Sequence, residues 1–94
     1  MASLRSLKKD IDYLMSLVLE ECMYVISTYP ETDKEKVLEI ARRIIGTHRE
    51  LRIRVNHPDG TENPKVMKAY LRKIVDDLYI SADSALSDLS KLIG

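Results

Sequence analysis

Apolar residues recur along this chain at intervals of three and four over three long stretches, the spacing that gathers them on one side of an α-helix. In the first stretch, about residues 4–29, Leu4, Leu7, Ile11, Leu14, Val18, Cys22 and Val25 share a face, and Pro30 stops it. Ser3 or Ser6 is the expected cap at its start, accepting a hydrogen bond from a free backbone amide, and Tyr29 is expected to be pushed out of helical geometry by the proline after it.

A second helix is predicted over about 33–55. Thr32-Asp33-Lys34-Glu35 has the form of a capping box, in which the threonine hydroxyl and the glutamate carboxylate each satisfy a backbone amide of the other. Val37, Ala41, Ile44, His48, Leu51 and Val55 line its apolar face, flanked by Ile40 and Ile45, and Asn56-His57-Pro58-Asp59-Gly60 ends it as a turn. Gly46 is its weak point, costing roughly 1 kcal/mol relative to alanine.

Asn63 followed by Pro64 starts a third helix, predicted over about 64–92, because asparagine caps well and proline at the first helical position forfeits no bond. Met67, Leu71, Ile74, Leu78, Ala82, Ala85, Leu89 and Leu92 form its stripe. Serine and aspartate are frequent from Ser81 to Ser90 and compete for backbone hydrogen bonds, which marks the place where a kink or fray would fall. One continuous helix is the expectation.

The connections around Pro30 and Gly60 are short, so consecutive helices should be antiparallel neighbours. Helices of roughly 35 to 43 Å, at ~1.5 Å per residue, match well enough to pack along their lengths. The expected fold is therefore all-α, an up-down-up antiparallel three-helix bundle forming a single domain over residues 1–94. No repeat, low-complexity segment or linker interrupts it.

Composition narrows the class further. Lysine plus arginine and aspartate plus glutamate each total 15, so overall charge gives no reason to expect a nucleic-acid or anionic-membrane partner. A single cysteine, Cys22, precludes an intramolecular disulfide, and with no apolar N-terminal signal segment the chain reads as cytoplasmic. No apolar run approaches the ~20 residues that span a bilayer.

The faces carry what functional information there is. Tyr13, Leu17 and Tyr24 lie opposite the core face of the first helix at ~100° per residue, making it apolar over more of its circumference than one buried stripe needs. These three residues are the candidate partner interface, for a homodimer or for another protein. The alternative is that helix 1 sits between two neighbours and they finish the core. Folding the charges onto the bundle brings Arg5, Lys8 and Lys9 near Arg49, Arg52 and Arg54 and near Lys65, Lys68, Arg72 and Lys73, so one end is basic. Glu20, Glu21, Glu31, Asp33, Glu35, Glu39, Asp83 and Asp88 gather toward the other. Lys8, Lys9, Arg49, Arg52 and Arg54 are the candidate polyanion contact, through counterion release from a phosphate backbone. The competing reading is a solvated surface with intrahelical pairs, diluted by Asp10, Asp12, Glu50, Asp59 and Glu62 and lacking aromatic interleaving.

Catalytic chemistry finds no constellation. His48, between Ile44 and Leu51 on an apolar face, must find a hydrogen-bond partner or stay neutral, which is the behaviour of a core histidine. His57 and Cys22 are placed too far from it for a metal site. Cys22 reads as a small core hydrophobe, Ser81, Ser84, Ser87 and Ser90 lack a nucleophile elbow, and Asp76 and Asp77 point about 100° apart. With three glycines in the chain there is no phosphate-cradling loop, and neither a cofactor nor a metal is expected.

The segment Leu7-Lys8-Lys9-Asp10-Ile11-Asp12-Tyr13-Leu14 resembles the first helix of the all-helical chorismate mutases. That family carries a second arginine further along this helix to bind a substrate carboxylate, and the corresponding position here falls near Val25, with no basic residue between Lys9 and Lys34. A dicarboxylate pocket without that charge loses bidentate recognition, so the mutase reading is set aside. Continued through Leu19-Glu20-Glu21-Cys22 and Tyr29-Pro30 to the third helix, the segment is more similar to a group of short uncharacterised all-helical bacterial proteins. That resemblance implies the three-helix layout and no activity. The functional expectation is a non-enzymatic protein–protein interaction module working through helix 1, with nucleic-acid or phosphate binding at the basic pole as the alternative.

Overall fold

Two of the three helices begin where a side chain replaces the hydrogen bonds that their first amides lack within the helix. A computed structural model describes residues 4–57 and 62–93, and places α1 at Leu4–Thr28, α2 at Lys34–Asn56 and α3 at Pro64–Leu92. Asn63 caps α3, its side-chain oxygen accepting from the amides of Lys65 at 3.0 Å and Val66 at 3.3 Å, with Pro64 in the first turn.

The start of α2 differs from the expected capping box. Asp33, and not Thr32, is the N-cap, its carboxylate accepting from the amides of Glu35 at 3.0 Å and Lys36 at 3.4 Å. The carboxylate prevails because its charge also meets the positive end of the helix dipole, which a hydroxyl does not. Thr32 is left in the preceding turn, where its amide donates to the Tyr29 carbonyl at 3.0 Å. The helix accordingly begins at Lys34, one residue later than expected, and runs one residue further, to Asn56. α1 ends one residue early at Thr28, although the Tyr29 amide still donates to the Val25 carbonyl at 2.9 Å. Ser3 and the turn residues Pro58, Asp59 and Gly60 lie outside the described residues, and Ser6 lies within α1.

Residue pairs fix the directions of the helices. Arg54 and Arg43 of α2 meet Asp77 and Asp88 of α3, so that one number rises as the other falls, and Asp12, sixteen residues before the end of α1, meets His48 and Arg52, fourteen and eighteen residues past the start of α2, as in a hairpin closed by the short connection between them. Consecutive helices are thus antiparallel, and α3 runs parallel to α1. The core contains Leu7, Ile11, Met15, Val18, Cys22 and Val25 from α1, Val37, Ile40, Ile44, Leu51 and Val55 from α2, and Ile74, Leu78, Ala82, Ala85 and Leu89 from α3. Met15 joins it although the expected stripe omitted it, because α1 packs against two neighbours and buries a wider arc. Leu4 at the end of the stripe stays exposed, and Leu14, Met67 and Leu71 are only half-buried. α3 is continuous through 81–90, since Ala82, Ala85 and Leu89 hold it to the core at helical spacing and packing outweighs the low propensity of serine and aspartate. No described helix is long and apolar enough to cross a membrane.

Candidate docking surface

Helical geometry puts Tyr13, Leu17 and Tyr24 within about 40° of one another around α1. All three face outward: Tyr13 is 68% exposed, Leu17 40% and Tyr24 54%, so they do not finish the core of the single chain. Tyr24 also meets the ring of Tyr29 edge-on, with centroids 6.4 Å apart, which stiffens the end of the stripe.

The stripe does not end at the edge of α1. Leu14, Leu17 and Tyr24 line an open groove with Leu86 of α3, and Glu20 and Glu21 border it. Toward the other end of the bundle Leu7 shares a second groove with Met67, Leu71 and Val75, bordered by Lys68, Arg72 and Asp76. Between the two grooves Tyr79 stands 57% exposed on the same side of α3. The surface that results is the seam between α1 and α3. Sequence reasoning found its α1 half, because that half is one helical stripe. It missed Val75, Tyr79 and Leu86, whose place beside Leu14 and Leu17 depends on how α3 is rotated against α1.

The polar latches of the bundle lie elsewhere. Asp12 joins α1 to α2, with its carboxylate 2.7 Å from His48 Nε2 and accepting from Arg52 at 3.2 Å. His48 is thereby satisfied at the rim of its apolar face, 39% exposed, and is not a fully buried core residue. Arg54 donates to Asp77 at 2.8 Å and Arg43 to Asp88 at 2.9 Å, joining α2 to α3. The hydroxyl of Tyr70 donates to the Arg54 carbonyl at 2.7 Å, which satisfies an acceptor at the end of α2. Hydrogen bonds from Lys73 and Arg54 hold the Asp77 carboxyl below the usual carboxylate range. Among the described residues no ion pair bridges α1 and α3.

This arrangement divides the candidate polyanion set. Arg52 and Arg54, two residues apart, project about 200° from each other, one toward α1 and the other toward α3, each already facing a carboxylate. Arg49 is exposed on the outer side of α2, Lys9 is exposed on α1 and Lys8 is half-buried beside it. Lys8, Lys9, Arg49 and Arg52 can share the α1–α2 side, but Arg54 does not join them. No protein-family model matches the chain, and none of the curated proteins or solved structures compared with it matches either.

Candidate reactive groups are equally separated. Cys22 is fully buried, and burial pushes its thiol pKa up, which disfavours the nucleophilic thiolate. Among the described residues no three histidine, cysteine, aspartate or glutamate side chains converge as a metal site would require, and no polar or charged side chain is buried.

Proposed function

We propose that this chain is a non-enzymatic interaction module that docks a protein through α1, with Tyr13, Leu17 and Tyr24 as the contact residues. The observation that carries this reading is the continuity of that stripe with Leu86 across the open seam between α1 and α3. Single exposed apolar side chains are ordinary, and exposure alone, as at Ile45 and Ile53 on α2, carries no such reading. A stripe that joins a groove on a second helix is the pattern of an interaction site. Tyrosine suits such a surface, since its ring contributes apolar area and its hydroxyl tolerates a wet rim.

Photo-crosslinking tests the reading in the cells that make the protein. A benzophenone amino acid placed at residue 13, 17 or 24 should give discrete protein adducts, whereas the same group in place of Ile53 on the outer side of α2 should not. Absence of adducts at all three positions refutes it. Polyanion binding through Lys8, Lys9, Arg49, Arg52 and Arg54 draws less support, because Arg52 and Arg54 face opposite ways and are engaged by Asp12 and Asp77. Duplex binding that weakens steeply with added salt would restore it.

A further inference from the structure

We infer that the partner on the α1–α3 face is a second copy of this chain, lying antiparallel across it about a two-fold axis. The inference rests on the docking reading above and identifies its occupant.

The charges along the seam make the case. Lys65, Lys68 and Arg72 cluster at the end where Leu7 packs against α3. Glu20 and Glu21 border the groove around Leu86, and Asp83 stands one turn before that leucine. At ~1.5 Å per residue the two poles are separated by about 20 Å along the bundle, with Tyr13, Val75 and Tyr79 between them. Asp10, one turn from Leu7, and Asp76, which lines the same groove as Lys68 and Arg72, temper the basic end without reversing it, leaving three basic groups against two acidic ones.

These poles are uncommitted. Arg43, Arg52, Arg54 and Lys73 are consumed in ion pairs that α2 makes or that lie within α3, whereas Lys65, Lys68, Arg72, Glu20, Glu21 and Asp83 enter none among the described residues. A two-fold axis near Tyr13 and Tyr79 superposes the basic pole of one copy on the acidic pole of the other, twice, and brings the tyrosines together at the centre. That is the self-complementarity an isologous interface demands. A parallel copy would oppose like charges at both ends. The aromatic centre and charged rim also match the usual anatomy of an interface. The side of a bundle 53 Å long and 20 Å wide offers enough surface for the ~800 Å² that each partner gives to a standard interface. With a formal net charge of zero, two copies meet no long-range repulsion.

Charge reversal tests the inference. The full chain should sediment at twice its 10.8 kDa mass. Lys68→Glu with Arg72→Glu, or Glu20→Lys with Glu21→Lys, should each weaken self-association about tenfold or more, since juxtaposed like charges oppose binding. All four side chains are exposed, so helicity by circular dichroism should be unchanged. Mixing the two variants restores both contacts of the antiparallel pair and should return dimer to near the original affinity. A chain that remains monomeric up to about 1 mM overturns the inference, as does a mixture that associates no better than its components. If the chain is monomeric yet crosslinks from residue 13 still capture a different protein, the docking reading stands and self-pairing fails. If neither is seen, both fail.

Discussion

Leu71 and Leu78 are equivalent members of one helical stripe by spacing, yet they differ in surroundings, and truncating each to alanine should separate them. Leu78 is 1% exposed among residues of the three-helix core, whereas Leu71 is half-buried along the open α1–α3 seam. Removing the three outer carbons of a leucine forfeits ~0.8 kcal/mol each, or about 2.4 kcal/mol when burial is complete. The residual cavity raises the expected loss for Leu78→Ala to about 3 kcal/mol. At Leu71 roughly half the transfer energy is at stake and an open groove leaves no enclosed void, so about 1 kcal/mol is expected. Urea unfolding followed by far-UV circular dichroism measures both, at a concentration low enough that dilution no longer changes the midpoint. A domain of this size loses about 4–8 °C of Tm per kcal/mol, so Leu78→Ala should melt roughly 12–24 °C lower. Equal losses at the two sites, or a greater loss at Leu71, would refute the assignment of Leu78 to the interior and Leu71 to the seam.

Gly46 is exposed in α2 and an added Cβ would meet nothing within 4 Å, so Gly46→Ala should stabilise the fold by about 0.5–1 kcal/mol, read as a raised urea midpoint. Asp33→Ala should cost about 1 kcal/mol while Thr32→Ala costs little; the reverse order in thermal melts would return the cap to the threonine. The Asp77 carboxyl is held below its unfolded value of ~3.9, so its contribution is complete above that pH and is lost as pH falls through the depressed value. Stability measured against pH should therefore show Asp77→Asn weaker than the parent near neutrality, by no more than about 1 kcal/mol for a solvent-accessible pair. That gap should close in acid, and a gap that persists below the titration would exclude ionisation as its cause.

The three helices, and their limits to within a residue, were legible along the chain, because the signals that set them act over one or two turns. Spacing of three and four defined each apolar stripe, Pro30 closed α1, and Asn63 with Pro64 opened α3. Even the Asp33 cap was only one position from the threonine that the local pattern favoured. The outward stripe of Tyr13, Leu17 and Tyr24 was legible for the same reason, being one stripe of a single helix. Packing settled everything that depends on how one helix is rotated and slid against another. Helical spacing cannot tell Met15, which is buried, from Leu71, which is not, or know that Asp12 reaches His48 and Arg52 while Arg54 turns to Asp77. Nor can it reveal that Leu86 completes the groove beside Leu17, or that the seam between α1 and α3 is left without an ion pair among the described residues. Those are relations between residues distant in the chain, fixed when the three apolar faces pack together, and no single helix contains them.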